Sequence, residues 1–143
     1  MDGATAREKI EIRGRKVVGG RAEGEAFVTR ETVSGWGGID AKTGVITERR
    51  HEKVGQSFAG KVLVFQGAKG SSGWSHYFHM TRRLKSAPLA MVFTVTTTKV
   101  ALGAVVTRVP AMTDLDRDPF EVIADGDWVV VDADAGVIEV TKA

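Results

Sequence analysis

At 143 residues, with 43% hydrophobic and 27% charged side chains, the chain has the make-up of one soluble globular domain with a real core. It contains no cysteine, which excludes a disulfide framework and any thiolate-held zinc or iron–sulfur cluster ligated by this chain alone. The net charge is only +2 and the basic residues are spread out rather than striped among exposed aromatics, which argues against nucleic acid as a partner. The longest apolar runs are strand-sized, and residues 1–9 carry no apolar signal core. No membrane partner is expected, and the cytoplasm is the default compartment.

Residues 1–10 are polar and are expected to be loosely ordered. Glu11 to Gly20 reads as a first strand ending at the Gly19-Gly20 break, and Glu25 to Arg30 as a second. Ser34-Gly-Trp-Gly-Gly-Ile-Asp40 is glycine-rich around Trp36, which is expected to plug the core. Asp40-Ala-Lys-Thr-Gly44 has turn chemistry before Val45-Ile46, and the same phrase, DAxxGVI, recurs at Asp132. The surroundings differ, so it reads as shared hairpin chemistry rather than a repeat. Lys61 to Phe65 has the length and β-branched content of a buried strand. The amphipathic pattern after it predicts a helix from about Ser75 to Lys85, ending before Pro88. Leu89 to Val95 is the second strongly apolar strand, and the three together predict a right-handed βαβ unit.

Thr96-Thr97-Thr98 then breaks the pattern and is placed to cap a short helix over Lys99 to Leu102. Ala104 to Val109 is expected to be extended, closed by Pro110. Ala111 to Pro119 reads as a polar loop whose carboxylates lack calcium-loop spacing. Asp125-Gly126-Asp127 signals a tight turn, and Trp128 to Asp132 with Val137 to Val140 a terminal hairpin. The sum is a mixed, strand-rich α/β protein, barrel-like, as a single domain over residues 1–143. Its core strands are expected to include Val62 to Phe65, Met91 to Val95 and Trp128 to Val131.

Between the central strand and its helix, Gln66-Gly-Ala-Lys-Gly-Ser-Ser-Gly73 supplies three glycines, two serines and a lysine. Strand, Gly/Ser loop and helix start together aim backbone N–H groups and a helix dipole at an anion. The loop is not a Walker A box, because Gly70 is followed by Ser71-Ser72 and the lysine precedes it. Taken singly, Ser71, Ser72 and Ser75 read as surface hydroxyls or caps, a cap stabilising by about 1 kcal/mol. The basic groups Arg49-Arg50-His51 with Lys53, and Arg82-Arg83 with Lys85, read as solvated faces. His76 and His79 read as surface or interface groups, since two histidines alone make a poor metal site.

Several phrases carry more than local chemistry: Gly24-Glu25-Ala26, Trp36-Gly37-Gly38-Ile39-Asp40 with Gly44, and His51 with the run Gly55 to Val64. Lys69-Gly70-Ser71, Ser75, Ala87-Pro88, Leu102-Gly103-Ala104, Val109-Pro110, Gly126-Asp127 and Val131-Asp132 follow in order. Together, from about Val18 to Val140, they resemble the small subunit, or swivel domain, of the aconitase X family. The run GQSxAGKVLV followed closely by KGS is the specific combination. The resemblance implies a swivelling β/β/α domain of the aconitase type that closes over the active site of a larger catalytic subunit. It also implies that the large subunit holds an iron–sulfur cluster, none being bound by this chain alone, whose iron acts as Lewis acid on a departing hydroxyl.

The reaction so implied is a hydro-lyase one on a small carboxylate substrate: a proton leaves beside the carboxylate and a hydroxyl leaves the neighbouring carbon. The family's catalytic serine follows the glycine of its Arg/Lys-Gly-Ser phrase, which is Ser71 here. Lys69, Gly70, Ser72, Trp36, Gly37 and Gly38 are the candidate substrate-binding residues, and Lys69 is the only nearby cation expected. The sequence leans slightly to cis-3-hydroxy-L-proline as substrate, with mevalonate 5-phosphate the alternative. The rival class is a non-catalytic anion-binding or interaction module. One departure stands out: the family's G-S-x-x-G-S reads Gly70-Ser71-Ser72-Gly73-Trp74-Ser75, so Trp74 is expected at the mouth of the loop, reshaping the pocket or packing on the partner. A face including Trp36 to Gly38 and Gly67 to Trp74 is expected to be left uncovered for that partner.

Overall fold

The computed structural model describes residues 7–70 and 73–143. Strands β1 (Lys9–Arg13) and β2 (Arg15–Val18) are separated by Gly14 alone, and β3 (Arg21–Val28) follows. Next come β4 (Val33–Ser34), β5 (Ile39–Asp40), β6 (Val45–Ile46), the central β7 (Val62–Phe65) and the short β8 (Ala68–Lys69). The chain continues as α1 (Trp74–Arg83), β9 (Ala90–Phe93), α2 (Thr98–Thr107) and β10 (Ala111–Thr113). A single-turn α3 (Pro119–Val122) precedes the final strands β11 (Trp128–Asp132) and β12 (Val137–Thr141). None of the described helices is long and apolar enough to cross a membrane.

Eight strands form one sheet in the order β1-β12-β11-β3-β7-β9-β10-β2. Its two edge strands are consecutive in the chain, so the sheet must curl until Gly14 links one edge to the other. The ring of hydrogen bonds is not completed there, so the sheet is curled but is not a closed barrel. The centre is parallel, with Phe27 opposite Leu63, Leu63 opposite Met91 and Met91 opposite Ala111. The flanking pairs are antiparallel, β11 and β12 forming the expected terminal hairpin.

The period of two sends successive side chains of β7 into two different cores. Val62 and Val64 join Ile12, Val92, Met112, Val131 and Ile138, drawn from strands right across the sheet, in the space that the curl encloses. Leu63 and Phe65 join Phe27, Met91 and Phe93 on the other face, under Trp74 and Phe78 of α1 and Val100 and Ala104 of α2. Sheet, sheet and helix layers result, the β/β/α arrangement implied by the resemblance. All four residues of β7 have no solvent exposure, as befits a parallel strand covered on both faces.

Several expectations shift. Lys9 and Ile10 belong to β1, paired with Thr141 and Val140, while residues 1–6 of the expected loose start lie outside the described residues. The expected strand at 104–109 is instead the second half of α2, which is capped by Thr97 through its Oγ1 accepting from Val100 N at 3.3 Å. The parallel strand falls at Ala111–Thr113, inside the stretch expected to be a polar loop. Val105-Val106 has strand propensity, but packing against α1 prevails over it. At Gly103 an added Cβ would lie 2.1 Å from Cζ3 of Trp74, so the two helices approach as closely as a glycine permits.

The repeated DAxxGVI phrase does form two hairpins of the same register. Ile39 pairs with Ile46 and Asp40 with Val45, as Val131 pairs with Ile138 and Asp132 with Val137. In each, the leading aspartate Oδ1 accepts a backbone N–H within the turn, from Lys42 at 2.9 Å and from Ala135 at 3.1 Å.

Candidate active site

Two glycine-rich segments are brought together by a two-strand pairing. β4 runs parallel to β8, with Val33 opposite Ala68 and Ser34 opposite Lys69. Val33 N also donates to Gly67 O at 3.0 Å. The turn of Trp36, Gly37 and Gly38 after β4 therefore lies on the same end of the molecule as Lys69 and Gly70 after β8. Gly70 has φ +100°, a value other residues adopt only under strain, so the loop turns there because it has no Cβ. Gly38 is required for space: a Cβ would meet Ser34 O at 2.3 Å. Its carbonyl accepts from Thr47 N at 2.8 Å, and Thr47 Oγ1 donates to Gly37 O at 3.2 Å, so the turn is fixed from the β6 side.

Charged groups converge on the same loop. Lys69 Nζ sits 2.6 Å from Glu48 Oε2, while Glu48 Oε1 is buried with no hydrogen-bond partner. Lys99 Nζ, from the first turn of α2, donates to the carbonyl oxygen of Gly70. Lys69 is thus not the only cation at the loop. A signal for Lys99 was available: a lysine in the first helical turn opposes the helix dipole, which points to a task outside the helix. Glu48 carries no comparable sequence signal. Buried His51 anchors its segment, with Nδ1 accepting from Lys53 N at 3.0 Å and Nε2 lying 3.1 Å from Thr32 O. Those partners require the proton on Nε2, donating to the carbonyl.

Ser71 and Ser72, the expected base and its neighbour, lie outside the described residues, between Gly70 and Gly73. The N-cap residue of α1 is Gly73, and Ser75 lies within the helix rather than at its cap. The two tryptophans exchange their expected places. Trp36, expected to plug the core, is 71% exposed, its ring in edge-on contact with Tyr77 at 5.4 Å between ring centres. Trp74, expected at the loop mouth, is 1% exposed, stacked on Phe78 at 4.1 Å. Its Nε1 donates to Val33 O at 2.7 Å, so the ring ties α1 to the root of β4. The uncovered face accordingly consists of Trp36, Gly37, Lys69 and Gly70, with Gly38, Gly67 and Trp74 inside.

Lys69, Lys99 and the start of α1 thus lie around Gly70, with Glu48 paired to Lys69. This arrangement does not suit a metal cluster. There is no cysteine in the chain, and among the described residues no group of three His, Asp or Glu side chains is placed to hold an ion.

A curled sheet with two helices on one face, and a Gly/Ser loop opening the first helix, defines a swivel-type domain. Residues 11–140 match the family described as the aconitase X swivel domain, and the chain belongs to that family. The structure is similar to the crystal structure of Thermococcus kodakaraensis aconitase X in its holo form, with a TM-score of 0.87 at 38% identity. That match covers 93% of this chain and 99% of the other. Among curated relatives, the phosphomevalonate dehydratase small subunit of Methanosarcina mazei is 38% identical over 133 residues, 93% of this chain and 92% of that protein. The same subunit of Archaeoglobus fulgidus is 43% identical over 128 residues, 90% and 96% of the two chains.

Proposed function

We propose that this chain is the small subunit of a two-subunit hydro-lyase that removes water from mevalonate 5-phosphate. The observation that carries the reading is the set of relatives named phosphomevalonate dehydratase small subunit, matched over nearly their whole length. The lean toward cis-3-hydroxy-L-proline is set aside, because those names favour the phosphate ester. Lys99 beside Gly70 adds positive charge at the loop, where Lys69 is paired with Glu48, and is compatible with an anionic substrate.

In this reading Ser71 is the base. Its alkoxide takes the proton from the carbon beside the substrate carboxylate, the electron pair forms the C=C bond, and the hydroxyl on the next carbon leaves as hydroxide. The proton taken up by Ser71 and that hydroxide together make up the water released, which restores the alkoxide. A serine hydroxyl is a poor base in water, so its alkoxide needs a dry site and positive neighbours. Lys69, Lys99 and the first N–H groups of α1 supply part of that field, and closure on the large subunit excludes solvent. Lys99 fixes the carbonyl of Gly70, the residue that precedes Ser71 in the chain. Trp36 and Gly37 form the exposed part of the face that meets the partner or the substrate. An iron–sulfur cluster belongs to the large subunit in this account, since this chain has no cysteine to ligate one. The whole chain acts as one swivel domain in the cytoplasm.

Co-expression with the cysteine-bearing large subunit tests the reading. A stable complex that forms a double bond in mevalonate 5-phosphate, and leaves cis-3-hydroxy-L-proline untouched, is the expected result. Separate elution of two folded chains, or turnover of the hydroxyproline alone, would overturn it.

A further inference from the structure

We propose that Glu48 is a positioning residue of the candidate site: its carboxylate presets the Lys69 ammonium beside Gly70, so that a negatively charged substrate meets a cation already in place. The inference deepens the hydro-lyase reading and rests on it. Lys69 is held at two points. Its backbone is fixed by the β4–β8 pair, where it stands opposite Ser34, and its Nζ lies 2.6 Å from Glu48 Oε2. One of its three N–H groups serves Glu48, which leaves two for a ligand. Glu48 is itself held through the backbone. Its carbonyl accepts from His51 N at 3.1 Å, and its neighbour Thr47 is bonded to the carbonyls of Gly37 and Gly38. The segment that fixes the turn after β4 therefore also carries the anchor of Lys69.

A surface ion pair between two solvated side chains contributes little, and that is the plain alternative here. The bonding of the carboxylate argues against it. Carboxylates that serve this fold bond its backbone: Asp116 accepts from Arg13 N at 2.9 Å, Asp125 from Val28 N at 2.7 Å and Glu52 from Arg30 N at 3.1 Å. Buried Asp127 has a donor on each of its oxygens. Glu48 differs. Its Oε2 meets Lys69, while its Oε1 is buried without a partner, a state that among the described residues only Thr107 Oγ1 shares. A dry, unpaired carboxylate oxygen is a cost to the fold rather than a support of it. The carboxylate thus has one task, Lys69, and the burial of its free oxygen keeps it turned that way. A lysine side chain has much rotamer freedom and loses it on gripping an anion. Glu48 removes that freedom before the substrate arrives, which lowers the cost of binding.

Steady-state kinetics of the reconstituted complex on mevalonate 5-phosphate test this role through a double-mutant cycle. Glu48→Ala should lower kcat/KM about three- to ten-fold, the scale of leaving one flexible side chain unordered. The loss should lie mainly in KM, with the thermal melt nearly unchanged. Glu48→Gln, which keeps an acceptor oxygen for Lys69, should lose less. In a Lys69→Met background Glu48→Ala should add no further loss, because no ammonium is left to hold. An equal loss in that background would make Glu48 a support of the loop rather than of Lys69 and overturn the proposal. An unchanged or raised kcat/KM in Glu48→Ala would overturn it too. A natural complex that does not turn over mevalonate 5-phosphate would overturn the hydro-lyase reading and this role with it, whereas turnover indifferent to Glu48 would overturn this role alone.

Discussion

Trp36 and Trp74 stand on either side of the β4–β8 pair and do opposite things. Trp74 gives up its whole surface to the core, bonds to the carbonyl of Val33 and sits against Gly103 of α2. Trp36 leaves most of its ring in solvent, resting on Tyr77 by an edge. One end of the molecule is thus rigid immediately behind a loop that is open in front. The lesson is that one tryptophan completes the fold while the other is left on an open face. The bulk at position 74 supports the loop from within the core rather than filling its mouth.

The comparison predicts unequal costs. Trp74→Ala should lose the most, about 3–5 kcal/mol, the range for deleting a buried large aromatic. Urea unfolding of the isolated chain measures it, and a loss below about 1 kcal/mol would show that the ring does not support the loop from within the core. Elsewhere in the fold Asp127 is a buried carboxylate. Burial alone would raise its pKa, but hydrogen bonds from Lys142 Nζ and from the backbone N–H groups of Ala124 and Ala143 prevail and hold it below the usual range. A lowered native pKa stabilises the fold above the unfolded value near 4, and that contribution is lost as pH falls through the native value. Asp127→Asn should therefore cost about 1–3 kcal/mol at pH 7, with the difference from the natural chain shrinking below about pH 4. A pH-independent difference would break that account.

Smaller effects sharpen the open side. Lys99→Met should leave the thermal melt nearly unchanged and lower kcat of the reconstituted complex roughly ten-fold, as expected for a slightly misdirected catalytic loop. A lowered melt with unchanged kcat would make Lys99 a structural tie only. Trp36→Ala should change the stability of the isolated chain by no more than about 0.5 kcal/mol. It should nevertheless weaken association with the large subunit, which size-exclusion titration would show; unchanged association would remove Trp36 from the partner face.

Much of this was legible in the residues. The apolar runs that become β7 and β9, the periodicity that becomes α1, and the Asp-Gly turn leading to β11 and β12 were all expected. Each combines a strong pattern with clear punctuation. What was missed has a common cause. α2 is apolar on nearly every side, so Val105 and Val106 look like a strand until α1 is seen packing on Gly103. That error carried β10 with it, leaving Ala111–Thr113 as loop. The exchanged tryptophans and the Glu48–Lys69 and Lys99–Gly70 contacts are tertiary facts that join positions 21 or more residues apart, and only Lys99, a lysine in a first helical turn, left a local trace. Ser71 was legible only through the phrase Lys69-Gly70-Ser71.

The central claim is that Ser71 is the base of a site completed by the large subunit. Its most direct test is kcat of the reconstituted complex on mevalonate 5-phosphate for Ser71→Ala, Ser72→Ala and Ser75→Ala, with melts showing each variant folded. The account predicts a fall of roughly 10²-fold or more for Ser71→Ala alone, the scale of general-base catalysis, and far smaller losses for the other two. Equal, small losses in all three would contradict it and leave the loop as a binding element without chemistry.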